Sequence, residues 1–273
     1  MASQYRWAVL AAGTFALATY SAIWFGVAVM APFLRDRDHL SLAQAGFLIS
    51  ASLVGSVTSL ILWGLATDRV GERRVLVAGL ALCGAGLIAA AAAHGFWQLA
   101  ALLAFAGMAG ASVQSASGRA VMHWFEPSQR GLALALRQTA IPLSGFAVSL
   151  ALPPIVRSGG VGWGFAALGI ACVTGAAVGG LVIREGPRPD VPAGAPIGLA
   201  PIHDKRIWQL SLGSALLIAP QLCVAGFTVL YLHERRGMSA GGAAAVLAAM
   251  QAIAVGGRIT AGRWSDVRAS RLG

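Results

Sequence analysis

The stretch Gly64-Leu-Ala-Thr-Asp68-Arg69-Val-Gly71-Glu72-Arg73-Arg74 lies between two long apolar runs, residues 43–63 and 75–93. About 20 apolar residues are enough for a helix to cross a lipid bilayer, and a cluster of charges between two such runs must lie in water. The stretch therefore predicts a polar loop between two membrane-spanning helices.

The same pattern returns near the end of the sequence as Gly262-Arg-Trp-Ser-Asp266. Gly262 and Asp266 follow Gly64 and Asp68 at an offset of 198 residues, which is 262 minus 64. Ser41 and Ser239, which open the apolar runs before the two loops, keep this offset without a gap. The chain is therefore interpreted as two copies of one membrane unit, the second of them shortened.

The composition assigns the chain to the membrane class. Of its 273 residues 57% are hydrophobic and only 11% are charged, whereas soluble domains are about 25% charged. The net charge of +10 does not indicate nucleic acid, because the basic residues are spread over short loops between apolar runs. The three cysteines, all within apolar runs, do not have the spacing of a metal site, and no cofactor or catalytic motif is present. We expect no enzyme, no metal and no cofactor.

Eight stretches are long and apolar enough to span a bilayer as helices, so the predicted fold class is all-α and polytopic. They cover roughly residues 7–33, 42–66, 74–93, 97–122, 130–154, 162–183, 207–232 and 240–263. The first run is too long for the core of a signal peptide and is read as a retained span. With the N-terminus inside, twelve lysines and arginines fall on the cytoplasmic side and five outside, which favours this orientation in a bacterial-type inner membrane.

The only long break, residues 184–206, contains five prolines and predicts an extended cytoplasmic linker. It divides the chain into a six-helix bundle, residues 1–183, and a partial second bundle of two helices, residues 207–273. Six spans, a linker and a return of the opening pattern indicate a parallel internal duplication.

On these features the chain resembles the major facilitator superfamily, whose motif in the loop between spans two and three is similar to residues 64–74. The shorter copy after span eight resembles its counterpart in the second half. Family members have twelve spans, so the resemblance implies a fragment of a longer protein or a truncated gene product. The approach to span five, Trp124-Phe-Glu-Pro-x-x-Arg130-Gly131, resembles the nitrate/nitrite and organic-anion branches.

The resemblance implies that the loop motif is a latch between the two halves, formed by Gly64, Asp68, Arg69, Gly71, Arg73, Arg74, Gly262 and Asp266. By this analogy Asp68 would contact span eleven, and Asp266 would contact the start of span five. Gly64 is expected to let helices approach closely, because it has no Cβ. The alternative is that the loop only anchors the topology.

Two arginines, Arg119 and Arg137, lie within spans four and five, where a charge is costly and usually marks a partner or a pathway. All ten carboxylates fall in loops or at span ends, so an anionic substrate is a natural partner for Arg137. Alternatively, either side chain could extend to the interface, and Arg119 could pair with Glu126 or a lipid phosphate.

Polar residues also recur at helical spacing on spans one, four and seven, which line the central cavity in the family that the chain resembles. The substrate-binding candidates are Arg137, Arg119, Gln114, Ser115, Tyr20, Trp24 and Gln221. Each of the smaller ones could equally be a helix-packing residue. Pro142 and Pro220 are expected to kink spans five and seven.

The sequence thus predicts a transporter in the lipid bilayer that moves a small solute by alternating access. An anion is the first candidate for this solute, and the protein is expected to be a monomer. Two alternatives are a drug or amphiphile exporter of the same superfamily and a truncated membrane protein that does not transport.

Overall fold

The computed structural model describes the backbone of residues 2–126, 129–184 and 204–268 and the side chains of residues 4–126, 129–184, 204–258 and 260. Within these ranges the chain is helical and has eight helices long and apolar enough to cross a membrane, which confirms the predicted fold class. We number them as spans one to eight: Gln4–Asp38, Leu42–Val70, Glu72–Ala91, Phe96–Trp124, Arg130–Gly159, Val161–Val182, Lys205–Arg236 and Ala240–Arg258.

Spans four and five are each built from two helical segments. Span four is interrupted at Ala111, between Phe96–Gly110 and Ser112–Trp124. Span five is interrupted at Thr139, between Arg130–Gln138 and Ala140–Gly159. Pro142 explains the second break, because proline has no N–H to bond the carbonyl of Gln138 and its ring crowds that carbonyl. Pro220, by contrast, lies inside one continuous helix.

Span one is the centre of the six-helix bundle. In its most apolar 18-residue window 83% is buried, and Leu17, Ile23 and Met30 are fully enclosed. Around it, small residues let neighbouring helices approach closely. A Cβ on Gly107 would collide with the carbonyl of Ser52, and one on Gly84 would lie 2.8 Å from the carbonyl oxygen of Gly169. Close backbone contact of this kind is how helices associate in lipid, where the hydrophobic effect between helices is absent.

The internal duplication is visible in matching hydrogen bonds. Arg35 Nε donates to the carbonyl of Leu40 (3.1 Å), and 198 residues later His233 Nδ1 is hydrogen-bonded to the carbonyl of Met238 (2.7 Å). The two serines at this offset also share a role. Ser41 Oγ accepts from the backbone N–H of Gln44 (3.2 Å), and Ser239 Oγ accepts from that of Gly242 (3.1 Å). Both serines therefore cap the N-terminus of the span that follows them.

Several contacts place the N-terminus and the connections between spans at one end of the bundle. Tyr5 donates to the carbonyl of Val182 (2.6 Å), Arg6 to the side chain of Gln129 (2.9 Å), and the indole of Trp124 to the carbonyl of Arg184 (3.1 Å). The loop motif, residues 64–74, lies at this same end, which we call the motif face. The other end is the opposite face. Most of the predicted linker, residues 185–203, lies outside the described residues, so the domain boundaries stay a prediction.

Candidate functional site

Arg137 is a buried cation held by span four. It is only 4% exposed, and its Nε donates to Ser117 Oγ (2.9 Å). Its Nη2 donates to the carbonyl of Val113 (3.3 Å) and to Gln114, both to the carbonyl (3.1 Å) and to Oε1 (3.3 Å). These partners are neutral, and no carboxylate in the described residues lies within ion-pair distance of the guanidinium. Arg137 is therefore hydrogen-bonded, but no described residue neutralises its charge.

One nitrogen of this guanidinium stays open. Among the described residues none accepts a hydrogen bond from Nη1. Gly118 of span four lies beside it, since a Cβ added there would be 3.8 Å from Nη1 and 3.7 Å from Cζ. Because Gly118 is half-buried and has no side chain, no side chain at this position packs against the guanidinium. The arrangement can bind an acceptor group at Nη1, next to the side-chain amide of Gln114.

A cleft opens about one helical turn along span five from Arg137. Ile141, four residues later, lines it together with Trp24 and Gln221, and its volume is about 120 Å³. The rest of its lining is mostly apolar and includes Phe25, Leu53 and Phe227. Spans one, two, five and seven meet here, so the cleft lies between the six-helix bundle and the beginning of the second half.

Tyr20 lies behind this cleft and fixes the position of Trp24. The two rings pack edge to face with their centroids 5.2 Å apart. The Tyr20 hydroxyl is hydrogen-bonded to Ser56 Oγ (2.5 Å), and the Tyr20 side chain is fully buried. Tyr20 is therefore placed to support Trp24 from within the core, whereas Trp24 itself reaches the cleft.

A cluster of charges at the motif face joins spans two, three and four. Arg119 forms an ion pair with Asp68, and its Nε lies 3.6 Å from Glu72 Oε1. His123 Nδ1 lies 3.0 Å from the same carboxylate oxygen. Glu72 is nearly buried, with a side chain that is 5% exposed, so its charge requires such partners. Within the described ranges, no group of three or more His, Cys, Asp or Glu side chains is placed to hold a metal ion.

This cluster answers two questions that the sequence left open. The partners of Arg119 are Asp68 and Glu72, on spans two and three, and not Glu126. The expectation that helices approach closely at Gly64 is wrong, because no described atom lies within 4 Å of a Cβ built there. Gly64 instead lines a cleft of about 460 Å³ with Asp68, Ser115 and Arg119.

The remaining residues of the loop motif have plainer positions. Gly71 joins spans two and three with φ +99°, a conformation that residues with a Cβ rarely adopt. Arg69, Arg73 and Arg74 are exposed at the motif face. In the second copy, Gly262 and Asp266 belong to the helix Ala240–Arg268, but their side chains lie outside the described residues. The predicted contact between Asp266 and the start of span five stays a prediction.

The seven substrate-binding candidates therefore fall into three places. Trp24 and Gln221 line the cleft beside span seven, with Tyr20 behind Trp24, whereas Gln114 and Arg137 are hydrogen-bonded to each other. Ser115 and Arg119 lie in the cleft at the motif face. Gly118 was not among the predicted site residues. Its position between Gln114 and Arg119 on a polar helix could have indicated space beside these polar side chains. The burial of Glu72 was also not predicted, since that residue stands in a loop-like run of charges.

The sequence also matches a known protein family. The sequence model of the Major Facilitator Superfamily matches residues 13–272. The chain belongs to this superfamily. An uncharacterized MFS-type transporter of Mycobacterium tuberculosis is 34% identical over 269 residues, which are 98% of this chain and 60% of that protein. The chain thus spans about 60% of the length of its mycobacterial relatives.

Solved structures of the superfamily show the same fold. A bacterial homologue of the human lysosomal transporter Spinster, in an inward-facing and unoccupied conformation, aligns with a TM-score of 0.79 at 19% identity. The alignment covers 98% of this chain and 64% of that one. A D-xylose-proton symporter aligns with a TM-score of 0.65 at 15% identity, over 92% of this chain and 67% of the symporter. The chain is therefore a multi-pass membrane protein of the superfamily, and its matching relatives are transporters and not enzymes.

Proposed function

We propose that the protein of which these residues are part transports a small anion across the membrane by alternating access, with Arg137 as the group that binds the anion. The observation that carries the proposal is the guanidinium of Arg137, which is 4% exposed, has no carboxylate partner among the described residues and keeps Nη1 open. Trp24 and Gln221 line the adjoining cleft together with Ile141, which lies one helical turn from Arg137 on span five.

The energetic argument rests on the cost of a charge within a membrane. An arginine at mid-span costs roughly 2.5–3.5 kcal/mol on insertion scales, and neutral acceptors compensate only part of this cost. A carboxylate or phosphate oxygen at Nη1 would both neutralise the charge and form a charge-assisted hydrogen bond. The amide of Gln114 can donate to the same anion, because its Oε1 already faces Arg137.

A more distant relative supports an anionic cargo. The hexuronate transporter of Bacillus subtilis is 29% identical over 119 residues, which are 44% of this chain and 28% of that transporter. A hexuronate is a sugar carboxylate, so the name of this relative gives it an anionic cargo, the charge that the Arg137 site would bind.

The test of this function is uptake of a radiolabelled sugar carboxylate into proteoliposomes that contain the full-length protein. Arg137→Gln is expected to abolish uptake, whereas Arg137→Lys, which keeps the charge but not the fork of donors, should retain part of it. Gly118→Leu should reduce uptake without touching the charge, because a larger side chain covers Nη1. Arg157→Gln, which removes an arginine at the opposite face, is the matched control. Normal uptake by correctly inserted Arg137→Gln would refute the anion proposal.

For alternating access we propose that the ion pair between Arg35 and Glu234 closes the opposite face in this conformation. It joins the end of span one to the end of span seven, which belong to different halves of the duplication. Cys223 lines the cleft below and is the exposed cysteine, whereas Cys83 and Cys172 are buried. Arg35→Gln should therefore increase the rate at which a membrane-impermeant maleimide labels Cys223 from the opposite face, and the Arg35→Glu/Glu234→Arg double variant should restore the slow rate. Equal labelling rates in all variants would contradict this gate.

We further propose that the motif face is cytoplasmic, that the membrane is an inner membrane and that the protein works as a monomer. The excess of lysine and arginine on the motif side supports the orientation. In this orientation the loop motif, from Gly64 to Arg74, serves as the cytoplasmic latch, with Asp68 held by Arg119. A cysteine introduced at Ser158, which is exposed at the opposite face, should react with an impermeant reagent in intact cells. Labelling only after cell lysis would reverse the orientation.

A second candidate function is export of an amphiphile, which the apolar lining of the Trp24 cleft favours. Its wall includes Phe25, Ile49, Leu53, Ile141 and Phe227, a composition typical of sites for apolar ligands. One experiment distinguishes the two candidate functions. An exporter of neutral amphiphiles should lose activity in Trp24→Ala and keep it in Arg137→Gln, and the anion transporter should show the reverse order of sensitivity.

A further inference from the structure

A second cationic site lies at the motif face, away from Arg137. Three arginines from three different parts of the chain surround one group of aromatic rings there. The Arg184 guanidinium stands over the Tyr5 ring (4.9 Å to the centroid), and that of Arg6 stands over the Phe125 ring (5.5 Å). Arg130 Nε donates to the carbonyl of Phe125 (3.1 Å).

The rings connect these arginines into one surface. Tyr5 packs against Trp124 with ring centroids 5.3 Å apart, and Trp7 packs edge to face on Phe125 at the same distance. The starts of spans one and five and the ends of spans four and six thus meet in a single patch. We call the patch formed by Arg6, Arg130, Arg184, Tyr5 and Trp124 the arginine-aromatic patch.

The arginines of this patch have no acidic partner in the part of the chain that the structure describes. Their hydrogen-bond acceptors are the side chain of Gln129 and backbone carbonyl groups. Glu126 follows Phe125 directly, but it is exposed and forms no ion pair within the described ranges. Arg119, at the same face, is by contrast neutralised by Asp68 and Glu72. Among the described residues, therefore, the positive charge of the patch is not compensated, whereas that of Arg119 is.

One donor in the patch is both buried and unused. The Nε of Arg6 is inaccessible to solvent and has no hydrogen-bond partner among the residues that the structure describes. A buried N–H of a charged group without an acceptor costs more than a neutral one, so this position would gain free energy from an acceptor that the protein itself does not provide.

We infer that the arginine-aromatic patch binds a phosphate group, and that the source of this phosphate is the headgroup of an anionic lipid. The patch lies where span one begins and where spans four and six end, and its tyrosine and tryptophan are the residues that typically mark the membrane-water interface. Arginine binds phosphate oxygens with charge-assisted and often paired hydrogen bonds. Basic pockets between membrane helices bind lipid headgroups by this chemistry. The inference does not depend on what the protein transports.

The experiment is native mass spectrometry of the protein purified in mild detergent and exposed to equal amounts of phosphatidylglycerol and phosphatidylcholine. The Arg6→Gln/Arg184→Gln double variant removes two charges from the patch. Its control, Lys205→Gln/Arg206→Gln, removes two charges at the same face, from exposed residues at the start of span seven. Since each arginine contributes roughly fivefold to binding of an anionic headgroup, the patch variant should retain about 25-fold less phosphatidylglycerol, and the control should be unchanged.

A second variant tests the site without removing any of its contacts. Glu126→Gln removes the acidic side chain that directly follows Phe125 in the sequence. This variant should retain more phosphatidylglycerol, while its retention of phosphatidylcholine should be unchanged. This variant decides the matter if the double variant does not fold. Equal retention of both lipids by the unmodified protein, or the same loss in the patch variant and its control, would overturn the inference.

A further arm identifies the source of the phosphate. Delipidated protein is titrated with inorganic phosphate in a calorimeter, and phosphate is also added to the lipid-loaded protein. No heat and no displacement of phosphatidylglycerol would support the lipid as the ligand. Saturable phosphate binding that the patch variant loses would assign the site to free phosphate and overturn the lipid assignment.

Discussion

Spans one and seven occupy the same place in the two copies of the repeat, yet their surroundings are opposite. In their most apolar windows 83% of span one is buried and only 11% of span seven. Their local structure nevertheless agrees, since Arg35 and His233 form the same hydrogen bond to a carbonyl five residues later. The comparison shows that helix formation and capping follow from local sequence, whereas burial depends on the helices that surround a span.

Spans two and eight repeat this contrast. Gly55 of span two packs against the backbone of span four at Ala104. The loop motif that follows span two forms an ion pair with Arg119 through Asp68. Span eight packs on span five, where Gln251 meets Gly145, but no described atom lies within 4 Å of a Cβ built on Gly256 or Gly257. The first copy is therefore fixed on several sides, and the second mainly on the side of span five. Matched substitutions in the two copies can test this difference.

The largest difference is expected for leucines in spans one and seven. Leu17→Ala removes a fully buried side chain and leaves a cavity, which should lower the free energy of unfolding by about 3 kcal/mol. Leu217, which is 80% exposed, should change it by less than about 0.5 kcal/mol when replaced by alanine. Denaturant titration of the 273-residue chain in detergent, followed by tryptophan fluorescence, measures both values. Similar losses in the two variants would mean that span seven is packed as span one is.

Glycines in spans two and eight should give changes of opposite sign. A Cβ on Gly55 would collide with the backbone of Ala104, which cannot rotate away, so Gly55→Ala should cost about 2 kcal/mol. Gly256→Ala meets no neighbour and should stabilise its helix by roughly 0.5–1 kcal/mol. The same titration compares the two variants. A destabilising effect at Gly256 would show that another helix packs closely on this part of span eight.

The sequence was informative about the spans because their signals are local. Hydropathy located all eight helices, and the 198-residue offset located the capping serines, which need only the residues beside them. The sequence could not show which helix faces meet. Arg137 and Gln114 were both candidates, but their contact depends on how spans four and five rotate against each other. The pairing of Arg119 with Asp68 and Glu72 likewise joins residues about 50 positions apart on three helices.

The smallest difference is expected at the two capping serines. Ser41 Oγ accepts from the N–H of Gln44, and the Gln44 side chain accepts in return from the N–H of Ser41 (2.9 Å), which completes a capping box. In the second copy Gly242 stands where Gln44 stands in the first, so only the bond to Ser239 is made. Ser41→Ala should therefore cost about 1 kcal/mol, and Ser239→Ala a few tenths less.

Gly242→Gln should restore the missing half of the box in the second copy. The neighbours of a Cβ at this position are the side-chain atoms Ser239 Oγ (3.2 Å) and Met238 Cε (3.6 Å), and both can adjust. Gly242→Ala, the control, gains only the helix propensity of a residue with a Cβ, about 0.5–1 kcal/mol. The returning bond should make Gly242→Gln more stable than Gly242→Ala by a few tenths of a kcal/mol, a difference that Ser239→Ala should reduce. Both copies share this local geometry. Equal stability of Gly242→Gln and Gly242→Ala would therefore show that the capping box also depends on the packing around it. Capping, like burial, would then be determined by the surroundings of the helix.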